Sequence, residues 1–371
     1  MTHRPIFLFV LSVMLPACDL ASDQNPAVSL SALPRIDMRT DRRDLANLYG
    51  NRFTDLAIPV TMSYRNSVFS GRVEAAGAGS RYFPKFSFQI NLSARPIEGL
   101  FEFNLSAQVN DRIMMHTLLS VFLYEQAGFP VFRTQDVFVT MNGENLGLYV
   151  MNEPIEQPFF TARNMPVYEL YKVEFGSRFS LREGNIVAET FDKEIPDDNN
   201  FGSLVEFIHA LDTVRNERIL EDLAGFLDIG QYLRYHAIST IRNDPDSYTN
   251  NFFLYRTAPD APFRVIPWDF DKTFFRDNSL GLYGENEIIL KLLQNDSCAT
   301  LYRGFIRDFL GDVFTEQQLF PMIDSLAVLI RDYHPLDPYL SQYDFNVEIN
   351  STKSFITQRR TTLLGLLNSG G

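Results

Sequence analysis

The spacing of apolar residues changes about midway along this chain. In the first half several runs alternate with a period of two, as strands with one buried face do. Ile58-Pro59-Val60-Thr61-Met62-Ser63-Tyr64 and Phe86-Ser87-Phe88-Gln89-Ile90-Asn91-Leu92 are two of them. Val137-Phe138-Val139-Thr140-Met141 and Leu146-Gly147-Leu148-Tyr149-Val150 are joined through Asn142-Gly143. That dipeptide accepts the left-handed backbone of a tight turn, so the stretch predicts a β-hairpin. One helix interrupts the strands. Ile113, Met114, Leu118, Val121 and Phe122 fall at helical spacing within 111–126, and Gly128 follows its end.

A polar stretch, Asp192-Lys193-Glu194-Ile195-Pro196-Asp197-Asp198-Asn199-Asn200, then breaks the pattern. Beyond it the spacing is helical over 201–211, 218–226, 229–241, 287–293, 302–310, 317–332 and 353–367. Two apolar pieces interrupt these helices, Phe252-Phe253-Leu254-Tyr255 and Phe263-Arg264-Val265-Ile266. They flank the turn Pro259-Asp260-Ala261-Pro262, which predicts a second hairpin. A β-rich part followed by a helical part with one small hairpin is an α+β, two-lobe order. We place a β-rich N-lobe at 35–190 and a helical C-lobe at 191–371, although 192–200 reads equally as a surface loop within one domain.

Composition narrows the function more than the fold. The chain has 371 residues, 45% hydrophobic and 21% charged, enough for a sizeable core, and 33 Phe with 16 Tyr make that core aromatic. A net charge of −13 argues against nucleic acid as a partner and against a basic face on anionic lipid. It leaves room for ATP, which needs only one or two cations and a metal ion.

The N-terminus reads as a targeting segment. A short basic stretch to Arg4 precedes the apolar run 6–15, which is too short to span a bilayer. Leu15-Pro16-Ala17-Cys18 resembles a bacterial lipobox, so residues 1–17 read as a lipoprotein signal peptide and the mature chain as starting at a lipidated Cys18. The plain alternative is a signal peptide with an incidental cysteine. Residues 18–34 are small and polar and read as a tether. Asp19 after the cysteine resembles the inner-membrane retention signal of Gram-negative lipoproteins, which implies the periplasmic face of that membrane. Contact with the membrane is expected through the lipid alone. Cys298 has no intrachain partner once Cys18 is acylated, and reads as a structural thiol.

Two polar clusters of the second half carry the candidate chemistry. One is Asn243-Asp244-Pro245-Asp246-Ser247-Tyr248-Thr249-Asn250-Asn251, and the other is Pro267-Trp268-Asp269-Phe270-Asp271-Lys272-Thr273. Protein kinases use an Asp-x-x-x-x-Asn loop followed by a strand ending in a metal-binding Asp. Asp246 and Asn251 have that offset, and Asp269 follows. Phosphoryl transfer needs one carboxylate to accept or orient a hydroxyl proton, and oxygen ligands for a divalent metal. Asp246 suits the first task; Asn251 and Asp269 suit the second. The predicted hairpin would bring Asn251 and Asp269 to the same end of its ladder. Taken alone, 243–251 reads first as an ordinary turn, Trp268 as a core anchor, and Lys85 as a solvated edge-strand charge. His116, His209, His236 and His334 are too scattered to suggest a metal set.

Several motifs, in order, resemble the CotH kinase family. They are Phe83-Pro84-Lys85 followed by Ser87; Asn142-Gly143 with Gly147, Tyr149 and Glu153; Leu170-Tyr171-Lys172; Asp246 to Asn251 and Tyr255; Pro267-Trp268-Asp269-Phe270-Asp271; and Phe355-Ile356 with Arg359. The resemblance implies an atypical protein-kinase-like fold and transfer of phosphate from ATP, with Mg²⁺ or Mn²⁺, to Ser or Thr of an envelope or secreted protein. It implies Asp246 as acid/base, and Asn251, Asp269 and Asp271 as metal ligands. It implies Lys85 on a β-lobe strand against the nucleotide phosphates, with Glu153 and Lys172 as further nucleotide-side residues. Two departures remove positive charge. The family's Arg-Gly-x-x-Ser stretch is replaced by Glu74 to Arg81 with no Arg at the usual place, and Phe86 stands where a second Lys is common.

Two other functions fit parts of the sequence. A kinase fold that has lost catalysis would serve as an envelope scaffold or binding module, and the missing basic residues favour it. Asp269-Phe270-Asp271-Lys272-Thr273 also fits the Asp-x-Asp-x-Thr signature of haloacid-dehalogenase-type phosphatases, with Asp269 as nucleophile and Asp271 beside it. That signature should end the first strand of a parallel sheet.

Overall fold

The computed structural model of this chain describes residues 33–369, apart from 78, 185, 275–280, 283 and 285. The leader, Cys18 and the tether up to residue 32 lie outside the described residues. Among the described residues seven strands close a barrel: β1 (Arg35–Arg39), β2 (Ile58–Tyr64), β3 (Ser67–Ala76), β4 (Ser87–Leu92), β5 (Glu102–Ser106), β6 (Thr134–Met141) and β7 (Glu144–Asn152). Their order is β1-β2-β3-β4-β5-β7-β6, and a parallel β1–β6 pairing closes the ring. Closure removes the exposed strand edges that an open sheet would leave. Strict alternation drives it: Ile58, Val60, Met62 and Tyr64 are buried inside, with exposed residues between them. Asn142 and Gly143 turn the β6–β7 hairpin with positive φ of 52° and 88°, as the sequence predicts.

Two helices attach to the barrel, α1 (Arg42–Gly50) and α2 (His116–Gln126). The sequence places the second helix at 111–126, but its first turn is a loop. Asp111 folds back to accept from the backbone N–H groups of Ile113 at 3.0 Å and His116 at 2.6 Å. Met114, with φ 57°, carries the left-handed bend.

After α3 (Gln157–Ala162) come β8 (Glu169–Val173) and β9 (Phe191–Ile195), and later β10 (Phe252–Arg256) and β11 (Arg264–Pro267). These four make an antiparallel sheet in the order β11-β10-β8-β9. The lobe boundary near residue 190 is therefore corrected. The barrel ends at Asn152, and β8 and β9 belong to the second half because Leu170, Tyr171 and Lys172 hydrogen-bond along β10. The phosphatase reading is corrected too. β11, which leads into Asp269, is the edge of an antiparallel sheet and not the first strand of a parallel one.

The remaining helices are α4 (Gly202–Thr213), α5 (Ile219–Asp222), α6 (Ile229–Arg242), α7 (Asp246–Thr249), α8 (Glu287–Leu292), α9 (Asp296–Asp312), α10 (Glu316–Ile330) and α11 (Phe345–Asn368). α9 and α11 start earlier than their apolar spacing suggests. Asn295 and Asp344 cap the added first turns by accepting from backbone N–H groups. α6 is central: from Tyr232 to Arg242 it exposes almost nothing except around Arg234. Asp228 caps its start and Asn243, at φ 56°, ends it in the left-handed conformation. Among the described residues no helix is long and apolar enough to cross a membrane.

Candidate functional site

A cleft of about 1010 Å³ opens between the barrel and the helical half. That volume is at the upper end of what small-molecule sites use. Gly77, Ser80, Arg81 and Gln89 line it from the barrel, Lys172 and Phe253 from the antiparallel sheet, and Asp246, Asn251, Asp269, Asp271 and Lys272 from the loops at its floor.

The hairpin β10–β11 builds that floor. Phe252 pairs with Pro267, so the residues just outside the ladder, Asn251 and Trp268, face each other. Trp268 N–H donates to the Asn251 carbonyl at 3.0 Å, and Asn251 Nδ2 donates to the Asp269 carbonyl at 3.4 Å. Asn251 and Asp269 both have left-handed backbones, with φ of 59° and 50°. A non-glycine residue held there costs of order 1–3 kcal/mol and persists where surrounding structure enforces it, a pattern that clusters at working sites. Here the enforcing structure is the β10–β11 ladder, and a buried arginine braces the neighbouring Phe270.

That arginine is Arg242, at the end of α6. It is fully buried and donates to Ser120 Oγ at 2.8 Å, Tyr124 Oη at 3.0 Å, Asp244 Oδ2 at 2.9 Å and Ser247 Oγ at 3.2 Å. Its guanidinium also lies over the rings of Tyr124 and Phe270, and its carbonyl accepts from the Phe274 N–H at 2.9 Å. One side chain thus ties α2, the 243–251 loop and the segment after β11 together. It also separates the two acids of Asp244-Pro245-Asp246. Asp244 is buried and committed to Arg242 and Ser247, whereas Asp246 reaches the cleft. Among the described neighbours Asp246 Oδ2 accepts from Lys272 Nζ at 2.7 Å.

The floor is strongly acidic. Crowding by protein, then the like charges of Asp271, Asp244 and Asp246, hold the Asp269 carboxyl above the usual carboxylate range, with Lys272 opposing. Asp269 is open to the cleft, so water weakens the first effect and the neighbouring carboxylates are the part to weigh. Burial likewise raises Asp271, against the hydrogen bond from Asn110 Nδ2 to its Oδ2 at 2.8 Å. Six carboxylates line the cleft against three cations, Arg81, Lys172 and Lys272. A polyphosphate would be repelled from such a surface unless divalent cations came with it. The hard oxygen donors of Asp269, Asp271 and Asn251 suit such a cation. Among the described residues no group of three or more His, Cys, Asp or Glu side chains is already gathered as a metal cage.

The three residues expected on the nucleotide side have different fates. Lys172 lines the cleft and is paired with Glu174. Burial pulls its ammonium down, but Glu174, Glu194 and Asp192 outweigh that and hold it above its ordinary range. Glu153 follows β7 and is buried beneath Arg133 and Arg163, which donate to it at 2.9 and 2.6 Å. Burial alone would raise Glu153, and these arginines hold it low. It anchors the strand exit, and its neighbours Asn152 and Pro154 line the cleft in its place. Lys85 is corrected outright. Its Nζ donates to Asp337 Oδ2 at 2.7 Å, its side chain is 4% exposed, and it is absent from the cleft lining. Phe86, where a lysine is common, is 1% exposed in the barrel core against Tyr49 and Phe88, a place that suits no charge.

Arg242, Asn110 and Lys272 carry the site together with the expected acids, yet the sequence reading passes over them. Arg242 stands directly before Asn243-Asp244, and Lys272 directly after Asp271. Asn110 has no local signal, because its partner lies 161 residues away.

A strand-rich half, a helical half and a cleft floored by a carboxylate loop and a metal-competent Asp define a kinase-like α+β protein. The sequence model of the family described as CotH kinase protein matches residues 73–363. The chain belongs to the CotH kinase family. It is 25% identical over 325 residues to the inner spore coat protein H of Bacillus subtilis strain 168, covering 83% of this chain and 90% of that one. Among solved structures, the Helicobacter pylori proinflammatory kinase CtkA matches 84% of this chain and 90% of its own, at 10% identity and a TM-score of 0.31. The HipA, HipB and operator DNA complex of a Shewanella oneidensis MR-1 toxin–antitoxin system matches 93% of this chain and 75% of its own, at 11% identity and a TM-score of 0.34. Both structural likenesses are loose, and the family assignment rests on the sequence.

Proposed function

We propose that this chain is an ATP-dependent protein kinase that phosphorylates Ser or Thr hydroxyls of an envelope or secreted protein. One observation carries the reading: Asp246, Asn251, Asp269 and Asp271 meet on one cleft floor, while Asp244, the competing acid, is locked away by Arg242. Asp246 accepts the hydroxyl proton. Asn251, Asp269 and Asp271 hold Mg²⁺ or Mn²⁺, which supplies the charge neutralisation a triphosphate needs on this acidic surface. Lys172 and Arg81 are the cations left on the nucleotide side. The lipobox-like Leu15-Pro16-Ala17-Cys18 and Asp19 support a lipid-anchored protein on the periplasmic face of the inner membrane, with a protein substrate there and no nucleic acid partner.

A second reading has its own support. The excess of carboxylates over cations in the cleft, and the structural use of Lys85, suit a kinase fold retained as an envelope binding module. Thermal stability of the full chain with ATP and Mg²⁺ or Mn²⁺ separates the two. Ligand at 100 times its dissociation constant stabilises by about 2.7 kcal/mol. We expect a metal-dependent upward shift in wild type that Asp269→Ala removes. No shift with either metal would overturn the kinase reading.

A further inference from the structure

Three cations line the cleft, and each already has a partner. Arg81 donates to the Ala75 carbonyl at 2.8 Å and Lys172 is paired with Glu174. Lys272 differs in its partner, an acid of the cleft floor. It follows directly on Asp271, its side chain is 44% exposed, and its Nζ donates to Asp246 Oδ2 at 2.7 Å. Among the described residues its other charged neighbours are Asp271 and Asp269. A flexible ammonium on a four-carbon stem, half open to solvent, can change partner at little cost.

We infer that Lys272 is a catalytic residue that exchanges Asp246 for the transferring phosphoryl group. The inference deepens the kinase reading of this cleft and rests on it. Asp246 Oδ2 is an oxygen that must be free to take a proton, and Lys272 now occupies it. A γ-phosphoryl group arriving over the acidic floor offers the ammonium a more highly charged partner and releases that oxygen. In the step itself, the acceptor hydroxyl oxygen forms a bond to the γ-phosphorus. The bond from that phosphorus to the β–γ bridging oxygen breaks, its electron pair leaves with ADP, and the hydroxyl proton passes to Asp246. Lys272 then lies against the charged phosphoryl oxygens in the transition state. Lys85 is unable to do this, because it is sealed against Asp337.

The test uses the full chain, γ-labelled ATP with Mg²⁺ or Mn²⁺, and two acceptors: the protein's own hydroxyls and dephosphorylated casein. Lys272→Met should lower kcat by about 10²–10³, the loss typical of one transition-state donor, and move KM for ATP by less than about threefold, since in the bound state the ammonium gains the phosphoryl group only by giving up Asp246. Lys272→Arg should recover a substantial part of kcat, because the charge is restored. A merely structural lysine would give neither the split nor the rescue. If Lys272→Met transfers phosphate at the wild-type rate, or if KM rises as much as kcat falls, the role of Lys272 is wrong and the kinase reading stands. If wild type binds no nucleotide and transfers nothing, the kinase reading fails and takes this role with it.

Discussion

Two lysine–aspartate pairs with the same 2.7 Å separation occupy opposite ends of this molecule's physics. Lys85 and Asp337 join the barrel to the segment before α11, with side chains 4% and 0% exposed. Lys272 and Asp246 meet at the cleft floor, 44% and 29% exposed. Distance alone would rank them equal. Burial separates them, because the desolvated pair has no water to fall back on while the cleft pair does. The buried pair is accordingly over-determined. Asp337 also accepts from the backbone N–H groups of Leu148, Tyr339 and Leu340 at 2.8, 2.7 and 2.9 Å. Lys85 Nζ sits 5.0 Å from the centre of the Tyr149 ring. At Gly147, with φ +103°, a Cβ would lie 2.1 Å from Asp337 Oδ2. Three motif residues of the family, Lys85, Gly147 and Tyr149, therefore converge on one carboxylate that no motif announces. Lys85 holds the barrel to the segment before α11, and Lys272 faces the cleft.

The largest way to break this contrast is Asp337→Ala. It leaves Lys85 buried without its counter-ion, a change that costs about 3–5 kcal/mol. Urea unfolding at pH 7 should show that loss. The sign with pH follows from Lys85. Burial pulls its ammonium down and Asp337 holds it up, so without Asp337 its folded pKa drops further below the free value. The unfolded chain then binds the extra proton, and stability rises with pH between the two pKa values. Asp337→Ala should regain part of its loss by pH 9. The double variant Lys85→Met/Asp337→Leu should lose much less than Asp337→Ala. An undiminished loss in the double variant would mean that the carboxylate acts through its backbone contacts and not through Lys85.

The same contrast explains what the sequence made legible. β2 and β4 were visible because large apolar residues alternate along them. β3 hid because its interior includes small residues; a Cβ at Gly71 would lie 2.3 Å from the Asn91 carbonyl oxygen, so only glycine fits. β9 hid because buried Lys193 looks like a surface charge until Asp198 and the Asn200 carbonyl are seen to accept from it, both at 2.7 Å. At the site, Asp246, Asn251 and Asp269 could be chosen from their offsets because one loop and one hairpin place them. The partner of Lys85 lies 252 residues away, and Arg242 reaches Ser120 across 122. Interactions at such separations are properties of the packed fold, and one sequence carries no local trace of them.

A middle-sized effect comes from a buried group beneath the floor. His236 on α6 is fully buried among the rings of Tyr232, Tyr248 and Tyr302. Burial pulls its imidazole down to about 3, with the Gly284 backbone opposing. The free value is near 6.5, so below that pH the unfolded chain takes up a proton that the folded chain refuses. The contribution of His236 is fully present above pH 6.5 and is lost as pH falls toward 3. Between pH 7 and 5 the loss comes to about 2 kcal/mol. His236→Phe carries every other titrating group unchanged. Its stability should fall by about 2 kcal/mol less than that of wild type over the same interval. Equal slopes for the two proteins would mean that the imidazole is already solvated in the folded state.

The smallest effect is expected where the chemistry is richest. Lys272→Met removes the cleft pair, and an ion pair this exposed contributes about 0–1 kcal/mol. The sign itself is informative. Lys272 is the cation that opposes the carboxylates around Asp269, so its removal should hurt stability more at low salt than at high salt. Asp337→Ala should be nearly insensitive to salt, because ions do not enter the space between Lys85 and the barrel wall. Unfolding both variants in 20 mM and 500 mM NaCl compares the two lysines directly. A loss above about 2 kcal/mol for Lys272→Met, unchanged by salt, would place that pair with the buried one. It would then act as a second lock and not as a charge free to follow the phosphoryl group.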